Sequence, residues 1–217
     1  MAAIALQMYD PHDGSDLSRV CHQVLRYVES GVEAGIGWSN KHDRNWFYFK
    51  SHLQDNLHRN NGEFDEPLRH LVVFMMRADQ QRTFRLLLDF NTVAVEQTQE
   101  LAKLERAIDD CLWLQQYKFI SEEASTFEAT DAIKALAGHE QWWARLFALQ
   151  MMIRQPEFFS FTQFTRLEND TADEVAKEAQ QFRREIRERY QKPPSKKHPL
   201  HAVVSELLGE SVLREEG

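Results

Sequence analysis

The chain has 217 residues, of which 42% are hydrophobic and 11% aromatic, a composition that is ordinary for a globular protein and excludes wholesale disorder. The formal net charge of −8 at pH 7 argues against a protein that coats nucleic acid indiscriminately, although it leaves room for a local basic patch. With only 8 glycines and 6 prolines, the chain has few turn-forming residues, which favours long helices over a many-stranded sheet.

Cysteine usage and hydropathy indicate a reducing, aqueous environment. Cys21 and Cys111 each fall on the apolar face of a predicted helix, so we expect two buried, reduced thiols and a cytoplasmic protein. The longest apolar run, Leu71 to Met76, is far shorter than the ~18 residues that a membrane-spanning helix needs. The first residues also lack the basic segment of a signal peptide. We therefore expect no membrane partner.

The N-terminal part of the chain predicts two helices. The first begins near Ser15, where side-chain oxygens can cap it, and ends at Gly31 or Gly35. The second is predicted from about Arg44 to His58, with a short strand over Trp46 to Phe49 as the alternative.

The pattern between residues 65 and 90 is ambiguous. Asp65-Glu66-Pro67 is a good helix opening, and the apolar residues that follow keep helical spacing. The stretch from Arg82 to Phe90, however, alternates between apolar and polar side chains as a strand does. We favour helix here, and a β-hairpin over residues 70–90 remains the alternative.

The stretch from Asn91 to Tyr117 predicts a central core helix. Its apolar residues recur at the three- and four-residue steps of one helix face. They are Leu101, Leu104, Ile108, Cys111 and Leu112. A capping-box pattern, Ser125-x-x-Glu128, then predicts a helix that ends near Gly138. The next segment, Glu140 to Arg154, is apolar around most of its circumference, so we expect a helix that is buried nearly all round.

Residues 161–190 have the outline of a helix-turn-helix. The patterns Ser160-x-x-Gln163 and Thr171-x-x-Glu174 predict a short helix, a tight turn at Glu168 to Asp170 and a long helix to about Tyr190. Ala172 to Arg184 would be the recognition segment, although the acidic residues at its start would face the groove of the DNA.

A dense group of basic residues lies between positions 182 and 197. It comprises Arg183, Arg184, Arg187, Arg189, Lys192, Lys196 and Lys197. Only Glu185 and Glu188 oppose them, so this stretch carries an excess of five positive charges in a chain of net charge −8. Such an asymmetry indicates contact with phosphates or with an acidic protein. The alternative is a solvated helix with ion pairs along its surface.

The C-terminal stretch predicts a tethered helix. KPPSKKHP, residues 192–199, is typical of a stiff basic linker. The apolar side of the helix that follows is formed by Val203, Val204, Leu207 and Leu208. This helix either docks in a groove of a partner or folds back on its own chain, and the pattern does not distinguish the two.

Motifs for catalysis, metals and cofactors are absent from the sequence. There is no Gly-x-Ser-x-Gly, no phosphate loop and no His-Glu-x-x-His, and the 9 histidines complete no usual ligand spacing. We therefore expect no metal and no cofactor. An active site assembled from histidines and carboxylates of distant helices remains an alternative.

Taken together, these patterns predict a mainly α, multi-helix globular fold. We expect a helical core domain at residues 1–155, the helix-turn-helix-like pair at 156–192, and the basic linker with its amphipathic helix at 193–217. The predicted function is that of a non-enzymatic regulatory or accessory subunit of a nucleic-acid-associated assembly, whose partner contacts the basic helix and the tethered tail. Self-association, contact with DNA or RNA, direct DNA binding through the helix-turn-helix, and the assembled active site are the other hypotheses.

Overall fold

The computed structural model describes residues 51, 54–60, 63–89, 94–117 and 122–215, and its regular elements there are all helical. They are α1 (Glu66–Ala78), α2 (Gln80–Asp89), α3 (Val95–Tyr117), α4 (Glu122–Ala137), α5 (Trp142–Arg154), a 3-10 turn (Pro156–Phe158), α6 (Phe161–Glu168), α7 (Asp173–Arg189) and α8 (His201–Glu215). The predicted mainly α fold is confirmed. Among these helices, none combines the length and the apolar character that crossing a membrane requires.

The two helices predicted at the N-terminus lie largely outside the described residues. Only the end of the second is covered, and residues 54–59 are indeed helical. Cys21 also lies outside. Cys111 is described, and it is a free, fully buried thiol on α3, as predicted.

The chain divides into two compact units, Met1–Thr98 and Gln99–Gly217. In the first unit, the start of α1 is held by a pair of polar side chains. Asp65 caps the helix, since its Oδ1 accepts the Leu68 amide hydrogen at 3.0 Å. The side-chain amide of Asn56 donates to the other carboxylate oxygen at 2.9 Å, and Asn56 Oδ1 accepts the Asp65 amide hydrogen at 3.2 Å. This exchange joins the helical residues 54–59 to α1.

The β-hairpin alternative for residues 70–90 is wrong as far as the structure describes them, because α1 and α2 occupy residues 66–89. Asp79 separates the two helices, and its Oδ1 accepts the Arg82 amide hydrogen at 3.0 Å, which caps the second. The strand-like alternation arose because Phe84, Leu86 and Leu88 are apolar. Leu87 is apolar as well, and all four are buried on α2.

Helix α5 forms the centre of the second unit. It contacts α4, α6, α7 and the 3-10 turn, and it is buried around most of its circumference, as its sequence predicts. Trp143, Leu146, Phe147 and Leu149 contribute to this core. Burial of such side chains stabilises the fold by roughly 1.5–3 kcal/mol for each fully buried one. Helices α4 to α8 of this unit lie on both sides of the predicted boundaries at residues 155 and 192, and they pack together.

Helices α6 and α7 form the predicted short-helix, turn, long-helix arrangement, but their caps differ from the predicted ones. Ser160 precedes α6 and makes no side-chain cap hydrogen bond. Helix α7 begins after Ala172 rather than after Thr171. Asp170 replaces the predicted threonine, because its Oδ1 accepts the Ala172 amide hydrogen at 2.8 Å.

Candidate functional site

The seven basic residues singled out in the sequence do not share one environment, because Arg183 is buried. Its Nε donates to Glu168 Oε1, and its Nη2 donates to Glu168 Oε2 at 2.5 Å. The guanidinium also lies over the rings of Phe161 and Phe164, at 5.9 and 5.5 Å from their centroids. Arg183 therefore joins α6 to α7 and has little exposed surface to offer a partner.

The sequence contains a signal for this burial that the charge count overlooks. Arg183 lies four residues after Ala179 and three before Ile186, so it falls on the same face of α7 as these two apolar residues. That face consists of Glu174, Val175, Glu178, Ala179, Arg183 and Ile186, all of which are buried.

The other six basic residues are exposed, and we call them the basic end. They are Arg184, Arg187, Arg189, Lys192, Lys196 and Lys197. Against Glu185 and Glu188, the basic end retains an excess of four positive charges.

Few of these cations are engaged within the protein. Arg184 donates to Gln181 Oε1 at 2.8 Å, and the Arg189 guanidinium lies 5.6 Å from the centroid of the Tyr190 ring. The salt bridges among the described residues include none from Arg187 or from the three lysines of the basic end. Their charges are available to an external anion.

The segment that carries the lysines is folded by its own hydrogen bonds. The His198 amide donates to the Ser195 carbonyl at 2.8 Å, and the His201 amide donates to the His198 carbonyl at 2.9 Å. Nδ1 of the His201 ring lies 2.8 Å from the carbonyl oxygen of Pro194, so this nitrogen is the donor in its neutral tautomer. The predicted stiff linker is thus a sequence of tight turns between α7 and α8.

The apolar side of the tail helix faces its own unit. Val203, Val204 and Leu207 are buried, and Leu208 is half-buried. Helix α8 packs on α7 and α6. Of the two arrangements left open by the sequence, the structure has the helix folded back.

The turn between α6 and α7 is held by a second arginine, whose side chain is largely buried. Arg145 on α5 binds both carboxylate oxygens of Asp170 at 2.7 Å, with side chains that are only 11% and 5% exposed. Its remaining Nη1 donates to the carbonyls of His139 and Glu140 at 2.8 and 2.7 Å. Sequence patterns gave no sign of this pair, because its partners lie 25 residues apart.

The start of α7 is acidic, as expected for a helix N-terminus. Asp173 and Glu174 occupy its first turn, and Glu174 is buried. Asp173 forms an exposed ion pair with Lys177 at 3.0 Å. As the leading end of a recognition helix, this turn would bring a carboxylate against DNA phosphate.

The polar groups buried between α5 and α7 bind one another. Gln150 Nε2 donates to Glu178 Oε2 at 3.0 Å. Within the described ranges, no group of three or more histidine, cysteine, aspartate or glutamate residues is arranged to hold a metal ion.

Comparison with known proteins finds no family model that matches this chain, and no match among curated proteins or solved structures.

Proposed function

We propose that this protein is a non-enzymatic accessory subunit of a nucleic-acid-associated assembly, and that its basic end contacts phosphate groups. The observation that carries the proposal is the group of six exposed cations at the end of α7 and in the turns that follow it. Lysine and arginine that neutralise phosphates release counterions, which supplies most of the affinity in sequence-independent binding.

The structure around the basic end supports this role because it is preorganised. The Arg183–Glu168 pair holds α7 against α6, and α8 packs on both of these helices. The exposed cations are therefore presented from a fixed support, so binding costs less ordering entropy than it would from a free tail. In this proposal the tail helix braces the basic end, and the partner contacts the cations.

The helix-turn-helix hypothesis is less well supported, because the N-terminal turn of α7 carries Asp173 on its exposed side. An assembled active site would need a buried carboxylate, and Glu178 is one, but its Oε2 already accepts a hydrogen bond from Gln150. No observation supports either alternative as strongly as the exposed charge of the basic end supports contact with phosphate.

The test is binding of labelled DNA and RNA by the full chain, measured by fluorescence anisotropy over a range of salt concentrations. The variant replaces Arg184, Arg187 and Lys192 by glutamine, and it leaves the buried Arg183 in place. We expect weaker binding to all sequences alike. A plot of the logarithm of the association constant against the logarithm of the salt concentration has a negative slope. Its magnitude should decrease by roughly 2 to 3, since each lost phosphate contact contributes about 0.9.

The matched control removes three charges from another surface. Lys103, Arg106 and Lys134 are exposed on α3 and α4, and their replacement by glutamine changes the net charge by the same amount. The control should bind nearly as the unaltered protein does. An equal loss of affinity in both variants would show that the effect comes from net charge rather than from the basic end. Absence of binding at low salt would refute the proposal.

A further inference from the structure

Two aromatic rings adjoin residues of the basic end in the sequence. Tyr190 follows the last residue of α7, and His198 lies in the turns before α8; their ring centroids are 6.4 Å apart at an interplanar angle of 69°. Tyr190 is half-buried, whereas His198 is exposed. Arg189 lies over the tyrosine ring, so the pair is bordered by a cation on that side.

The His198 ring is held in one orientation. Its Nδ1 accepts the Leu200 amide hydrogen at 3.1 Å, and its ring packs edge-on against Tyr190. With Nδ1 as the acceptor, the neutral ring carries its proton on Nε2. The imidazole therefore has little rotamer freedom left to lose when a ligand stacks on it.

We infer that the basic end binds single-stranded nucleic acid, with one base stacked on the exposed His198 ring and the adjoining phosphates held by Lys192, Lys196 and Lys197. This inference rests on the proposed function and specifies its ligand. Proteins that bind single strands combine a cationic surface along the backbone with aromatic rings on which bases stack. A duplex offers the same phosphates, but its base faces are already stacked on each other.

The selectivity follows from this difference. Phosphate contacts are shared by single-stranded and double-stranded ligands, so the lysines alone give no preference for single strands. A stacked base contributes about 1–3 kcal/mol, which is about a 5- to 150-fold gain in affinity. The gain applies only to a strand with a free base, whether it is DNA or RNA.

Two substitutions test the contribution of the His198 ring and that of its hydrogen bond separately. His198→Asn retains an oxygen that can accept the Leu200 amide hydrogen but has no aromatic ring. His198→Phe retains a ring but has no acceptor. The control is His70→Asn, which changes an exposed histidine on α1. Thermal unfolding of each variant shows whether the turns before α8 are intact.

The experiment compares single-stranded DNA, single-stranded RNA and duplex DNA of one length at the same salt concentration, using the full chain. We expect tighter binding of the single strands. His198→Asn should weaken single-strand binding by at least about fivefold and leave duplex binding unchanged, while His198→Phe keeps the preference.

Other outcomes decide between the two proposals. Equal affinity for single strands and duplex, unchanged in His198→Asn, would overturn the stacking inference and leave the basic end as a general phosphate site. A loss in His198→Phe as large as that in His198→Asn would assign the effect to a property of the imidazole other than its aromatic face, and would also overturn the inference. Absence of binding to every ligand at low salt would refute both proposals.

Discussion

Arg183 and Arg184 are consecutive residues of the same type, but the first is buried in an ion pair and the second is exposed to solvent. Arg183 is bound to Glu168 with about a tenth of its side chain exposed, while Arg184 is exposed and donates only to Gln181 on its own helix. Removing one partner of a buried ion pair leaves an uncompensated charge in the interior, which is far costlier than losing an exposed contact.

We predict that Arg183→Gln lowers the free energy of unfolding by about 3–5 kcal/mol, because it leaves the Glu168 carboxylate without its bidentate partner. Arg184→Gln is the matched control and should change stability by no more than about 0.5 kcal/mol. Chemical denaturation of both variants measures the difference. Similar small effects in the two would show that the Arg183–Glu168 pair contributes little.

His139 should make stability depend on pH. Burial lowers the pKa of His139 below its usual value of 6.5, and Arg145 lowers it further, although Glu140 and Glu100 oppose the shift. The unfolded chain therefore takes up a proton near pH 6.5, whereas the folded chain does so only at lower pH. The free energy of unfolding should decrease as the pH falls below about 6.5.

The variant that tests this is His139→Asn, in which the titrating group is gone. We expect its stability to vary less than that of the unaltered protein between about pH 7 and pH 5. His70→Asn, at an exposed position, serves as the control. Parallel stability curves for His139→Asn and the unaltered protein would contradict the assignment.

At the scale of elements, α8 belongs to the second unit as a packed helix rather than as a free tail. Leu207 is fully buried and the adjacent Leu208 is half-buried. We predict that Leu207→Ala destabilises the protein by about 2–5 kcal/mol, because it removes a buried side chain and leaves a cavity. Leu208→Ala should cost clearly less. Thermal unfolding compares them, and equal effects would mean that α8 does not pack as described.

The helices themselves could be predicted from the sequence, because apolar residues recur with helical spacing in α1 and α3 and cover most of the circumference of α5. Their caps could not all be predicted. The start of α7 depends on Asp170, whose orientation is determined by Arg145 on another helix, and no local pattern contains that information. The same limit applies to the candidate site. Its charge is evident in the sequence, but the Arg183–Glu168 pair could not be predicted, because it forms only when the turn brings α6 against α7.

At the scale of the whole molecule, the second unit contains its own core. Helices α4 to α8 supply many of its buried side chains and contact one another. We predict that residues 94–217, expressed alone, are helical by circular dichroism and unfold in one cooperative transition. Leu207→Ala should destabilise this fragment as much as the full chain. A gradual, non-cooperative transition would contradict the prediction.

The helices of the second unit pack mainly on neighbours in the chain: α4 on α5, α5 on the 3-10 turn and α6, α6 on α7, and α7 on α8. Most loops between such partners are short, so little chain entropy is lost before each contact forms. Helical proteins with mostly local contacts refold in microseconds to milliseconds. A denaturant jump on residues 94–217 should therefore show refolding within about a few milliseconds, and the basic end would acquire its shape as soon as α8 closes on α6 and α7.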